Sequence, residues 1–131
     1  MPEATQRFFD PRPEAVRMAR EFACLSLASW RRAAEPVETV RLCVSELASN
    51  ALLHGAEPGR GFLVRLALAD DVVRLEVHDS REVRPEPRRP SALDTAGRGL
   101  LLVAELADDW GVADREPFGK IVWARIKAPR R

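Results

Sequence analysis

A chain of 131 residues is long enough for one domain with a real core and too short to expect two. Hydrophobic residues make up 46% and charged residues 31%, the mix of a folding globular chain and not of a disordered or membrane-embedded one. Lysine and arginine total 21 against 20 acids, for a formal charge of +1, so no global field concentrates nucleic acid or an anionic membrane, and neither is expected as a partner.

The N-terminal MPEATQRFFD lacks the apolar segment of a signal peptide. The longest aliphatic run, LLLVA from Leu100, is far short of a membrane span, so a cytoplasmic location is expected. After an extended start around QRFFD, Val16, Ala19, Ala23, Leu27 and Trp30 recur at helical spacing, with Pro13 allowed in a first turn. A second helix begins near Pro36. Val37, Val40, Val44, Leu47 and Ala51 form its apolar stripe, and Gly55 supplies a stop. Cys24 and Cys43 fall inside these apolar patterns and read as buried free thiols; with only His54 and His78 besides, a structural zinc site is not expected.

The period then changes. Val73, Leu75 and Val77 alternate with Arg74, Glu76 and His78, and Asp70-Asp71 marks a turn between two strands, which makes a hairpin. From Ser80 to Arg98 the chain carries Pro85, Pro87 and Pro90 among its arginines without any periodicity, a length that in a compact domain is either disordered or functional, a lid being one candidate. GRGLLLVAELADDW reads as a tight glycine turn into a third helix, and WGVADREPFGKIVWARIK as two closing strands. The order β-α-α-β-β-α-β-β predicts an α+β fold: a two-layer sandwich with a mixed, mostly antiparallel sheet and helices on one face.

Three features carry chemistry. On the second helix Glu46, Asn50 and His54 recur every four residues on a face other than the apolar stripe; a carboxylate and an amide converging there suit a hard cation such as Mg²⁺ or a base beside it. In TAGRGL, Gly97 and Gly99 bracket Arg98 ahead of a helix, so backbone N–H groups and the positive end of the helix dipole offer a phosphate seat, although no Gly-Lys-Ser/Thr follows to make a Walker loop. Asp79 ends the apolar strand LEVHDS and could accept a hydrogen bond from an amino group such as that of adenine. Taken singly, each has an ordinary account: a solvated helix stripe, a common turn, a turn-forming aspartate.

Together, a helix with E-x-x-x-N, a strand ending in Asp, a variable loop and G-x-G-L opening a helix resemble the gyrase and histidine-kinase type of ATP-binding domain, the Bergerat fold. Within that group ELASNALLHG, GRGLLLVAELADDWGV and GKIVWARI are similar to the small bacterial anti-sigma-factor serine/threonine kinases, over roughly Pro11 to Ile126. The resemblance implies that residues 1–131 form a single histidine-kinase-like ATP-binding domain with a lid over about residues 80–98. It implies ATP and Mg²⁺ as cofactors, Asn50 as the Mg²⁺ ligand, Asp79 on the adenine amino group, and Gly97, Arg98, Gly99 and Leu100 around the phosphates. Glu46 would be the catalytic base, and His54 is placed only at the pocket rim.

The function so implied is phosphorylation of an anti-anti-sigma (STAS-type) partner by a protein that also binds a sigma factor and forms a homodimer. The alternative is a regulatory module that sequesters its partner without catalysis; a detached sensor-kinase domain ranks last, since His54 and His78 fall inside the pocket motifs. Two positions depart from the pattern. Arg81 follows Ser80 where small residues are usual, and Ile121 stands after Gly-Lys where many relatives carry a threonine that helps bind adenine.

Overall fold

The computed structural model describes residues 3–54, 60–80, 95–116 and 118–131. Along the chain these form β1 (Glu3–Phe9), α1 (Ala15–Ser29), α2 (Ala34–His54), β2 (Phe62–Ala69), β3 (Val72–Asp79), α3 (Thr95–Leu106), β4 (Asp109–Asp114) and β5 (Lys120–Lys127). The element order is the one the periodicities predict. The strands lie in one five-stranded sheet in the order β1-β2-β3-β5-β4, and each of its pairings is antiparallel, in line with the mostly antiparallel sheet expected.

Strand alternation sorts the side chains into two faces. Phe62, Val64 and Leu66 of β2, Val73, Leu75 and Val77 of β3, and Val122, Ala124 and Ile126 of β5 are all buried, and the register sets Leu66 opposite Leu75 and Leu75 opposite Ala124 on one face. The helices cover that face. Ala15, Ala19, Ala23 and Leu27 of α1 and Val40, Cys43, Val44, Leu47, Ala48 and Ala51 of α2 complete the core, and the alanines let α1 and α2 approach closely. From α3, Leu100 and Val103 join it. Val16, Trp30 and Val37, expected within the helical stripes, pack partly buried against this cluster, and Pro13 lies just outside α1, whose N-cap is Glu14. Gly55 lies outside the described residues.

The hairpin turn between β2 and β3 needs left-handed backbone at both central residues, and Asp70 and Asp71 supply it at φ 52° and 58°. Two-residue turns of this hand match the right-handed strand twist, and aspartate is among the few residues that tolerate the conformation. On the uncovered face Trp123 lies against Gly111 of β4, and the Arg74 guanidinium caps its ring at 4.5 Å from the centroid. Among the described residues no helix is long and apolar enough to cross a membrane.

Candidate functional site

Asp79 and Lys120 close the β3–β5 ladder as opposite partners. Both lie on the helix-covered face, since they are in phase with Val77 and Val122, and both are buried, at 5% and 6% exposure. The Lys120 ammonium donates to Asp79 Oδ1 across 3.0 Å. Burying a lone charge of either sign would be costly, and each is tolerated here through the other. What lets them meet is Gly119, at φ 102°, where a β-carbon would run into the Asp79 carbonyl oxygen and come within 2.8 Å of Ser80 Cα. Beside them the exposed Arg60 donates to Ser80 Oγ at 3.2 Å.

Helix α2 runs under the same face, and Glu46 and Asn50 are half-buried along it, one turn apart. The Asn50 side-chain nitrogen is buried and finds no hydrogen-bond partner among the described residues. An orphaned buried NH2 donor of this kind fits a site to which a ligand brings an acceptor, such as a phosphate oxygen. Burial pushes the Cys43 thiol up to about 12, with the Glu46 carboxylate adding to the rise. Ser45, by contrast, turns its hydroxyl back onto the Arg41 carbonyl at 2.9 Å and is spent on the helix itself.

Gly97, Arg98 and Gly99 lie within the first turns of α3, which begins at Thr95, and not in a turn ahead of the helix as expected; Leu100 follows them with its side chain in the core. The reason is local: the apolar stripe begins only at Leu100, but Thr95 and Ala96 already have helical backbone, so Gly97 and Arg98 contribute N–H groups of the open helix start while Gly99 falls in the next turn. Arg81 and most of the expected lid, residues 81–94, lie outside the described residues, as does the His54 side chain.

Two expectations change with the register. Ile121 pairs with His78 and points to the sheet face opposite Asp79, so the residue that shares the Asp79 corner is Lys120 and the missing threonine hydroxyl is not a gap beside Asp79. His78 likewise faces away from the pocket motifs: its Nε2 meets Glu76 Oε1 at 2.8 Å on the uncovered face. Lys120 and Gly119 are the residues that sequence reading missed. The available signal was phase, because Lys120 stands two residues before Val122 in the buried register of β5, a place where a lysine needs a partner.

Among the described residues no cluster of three or more acidic, histidine or cysteine side chains gathers around a metal position. An ion at Asn50 would thus take that amide oxygen as one ligand and the rest from phosphate and water, which is how Mg²⁺ is commonly held.

Comparison with known proteins agrees with this layout. Residues 9–126 match the histidine kinase-like ATPase domain. Among curated proteins none matches significantly. Among solved structures, the RsbU and RsbW domains of Rv1364c from Mycobacterium tuberculosis superpose with a TM-score of 0.75 at 21% identity, over 98% of this chain and 34% of that one. The chain therefore spans about a third of the length of that neighbour, and at this identity the likeness speaks to the fold. With the match taking in all three helices and, but for the last residue of β5, strands β2 to β5, the chain belongs to the histidine kinase-like ATPase domain family.

Proposed function

We propose that the protein is an ATP-dependent protein serine/threonine kinase of the anti-sigma-factor type, acting on a small STAS-type anti-anti-sigma partner in the cytoplasm and able to bind a sigma factor as a homodimer. The observation that carries this reading is the Glu46–Asn50 pair on α2: a half-buried carboxylate one turn from an amide whose nitrogen is buried without a partner among the described residues. Such a pair is poorly explained as a solvated stripe.

In this reading Asp79 accepts a hydrogen bond from the adenine amino group, and the open backbone N–H groups at the start of α3, those of Gly97 and Arg98 among them, approach the phosphates, with Gly99 and Leu100 in the turn behind them. Asn50 would hold Mg²⁺, which neutralises phosphate charge when bound. Glu46 accepts the proton of the partner hydroxyl as its oxygen attacks the γ-phosphorus; the bond from that phosphorus to the β,γ-bridging oxygen breaks, and ADP leaves. Such a reaction asks mostly for positioning and charge neutralisation, which suits a small domain.

The test is transfer of labelled γ-phosphate to candidate STAS-type partners by the wild type and by Glu46→Gln. Loss of a general base should slow transfer by roughly 100- to 10,000-fold while Mg-ATP binding stays near normal. Equal transfer by both proteins would overturn the role of Glu46, and a partner that co-elutes without ever gaining phosphate would make the protein a sequestering module instead.

A further inference from the structure

The Lys120–Asp79 pair is more than the adenine aspartate requires. A carboxylate alone is an acceptor and suits the adenine amino group; the carbonyl oxygen of a 6-oxopurine, also an acceptor, would be repelled by it. Here an ammonium donor lies 3.0 Å from that carboxylate, in the same buried corner. Stability does not explain the arrangement, because a buried ion pair is often no better than apolar side chains of similar volume. Gly119, with a left-handed backbone and no room for a β-carbon against Asp79 and Ser80, brings the Lys120 backbone to that place and leaves its stem free to adjust.

From this geometry we infer that Lys120 sets the purine selectivity of the site, which accepts guanine and hypoxanthine nucleotides alongside adenine ones. The inference rests on the nucleotide-site reading above and adds a base-reading residue to it. On the Watson–Crick edge, adenine presents its N6 amino donor beside the N1 acceptor, and guanine its O6 acceptor beside the N1–H donor. Each edge thus offers one donor next to one acceptor, in opposite order. A carboxylate has acceptor positions on both oxygens and an ammonium has three donors on a flexible stem, so the pair can serve either order. Asp79 takes N6–H of adenine while Lys120 donates to N1; for guanine Asp79 takes N1–H while Lys120 donates to O6. Hypoxanthine, with the same O6 and N1–H and no 2-amino group, follows guanine.

The experiment is calorimetric titration of the protein with the β,γ-imido analogues of ATP and GTP and with ITP, each with Mg²⁺. The wild type is expected to bind at least one 6-oxopurine nucleotide within about tenfold of the ATP analogue, since each base offers the pair one donor and one acceptor. Lys120→Met should weaken the 6-oxopurine nucleotides about tenfold or more relative to the ATP analogue, and Lys120→Gln, which keeps a donor, should restore most of that ratio. The wild-type measurement stands even where a variant does not fold. ATP binding with both 6-oxopurine nucleotides more than about 100-fold weaker would overturn the role of Lys120 and leave the nucleotide site intact. So would a Lys120→Met protein whose nucleotide preferences are unchanged. Failure of all three nucleotides to bind would overturn the nucleotide-site reading and this inference with it.

Discussion

Arg32 and Asp71 stand 39 residues apart in the chain, yet the Arg32 guanidinium donates to Asp71 Oδ1 at 2.7 Å. Arg32 is buried at the end of the α1–α2 turn, and it also donates to the carbonyls of Trp30 at 2.8 Å and Ala128 at 3.0 Å. The Ala128 N–H in turn donates to the Asp71 carbonyl, so one side chain ties the helix turn, the β2–β3 hairpin tip and the tail after β5 together. Arg32→Met keeps the bulk and removes the donors. It should lower unfolding stability in urea by about 1–3 kcal/mol for each buried carbonyl left without a partner. Asp71→Asn, at an exposed side chain that keeps an acceptor, should cost less; equal losses in the two variants would mean that the bond to Asp71 alone holds the junction.

Gly119→Ala should injure the fold and the site together. Its left-handed backbone, φ 102°, strains any L side chain by about 1–3 kcal/mol, and the added methyl presses on the Asp79 carbonyl. Gly111→Ala is the control, because its methyl would come within 2.8 Å of the Trp123 ring, on the sheet face opposite Asp79. Thermal unfolding should fall in both variants, whereas Mg-ATP affinity in the folded fraction should fall only for Gly119→Ala. Matching affinities would show that the Gly119 backbone does not position Asp79 for the base.

Acid should expose the role of Glu76. Burial pushes its carboxyl up, but hydrogen bonds from Arg74 and His78 outweigh burial, and the net position is below the ordinary 4.5. A carboxyl lowered in the folded state binds fewer protons there than in the unfolded chain, so its stabilisation is present above 4.5 and is lost as pH falls through the depressed value. Unfolding free energy measured from pH 7 downward should decline through that range, and Glu76→Gln should flatten the decline. A variant with the wild-type acid limb would assign the loss to other groups.

Much of the protein was legible because its signals are local. A period of two with Asp70-Asp71 at the turn determines the β2–β3 hairpin, helical stripes determine α1 and α2, and a four-residue spacing puts Glu46 and Asn50 on one face of α2. None of these depends on distant partners. Register does: the antiparallel pairing of β3 with β5 brings together residues 41 apart, sets Lys120 against Asp79, and turns Ile121 and His78 to the uncovered face. Shifting the alignment by one residue would exchange the two faces of β5, and what forbids the shift is the burial of Val122, Ala124 and Ile126 against the helices. The start of α3 is ambiguous in the sequence for a related reason, since glycines in TAGRGL suit a turn and a helix start alike and only the packed Leu100 and Val103 decide which forms. Local pattern thus specifies the elements and the polar pair on α2, while long-range pairing selects which charges meet in the corner beside Asp79, because burial of the whole sheet face permits one register.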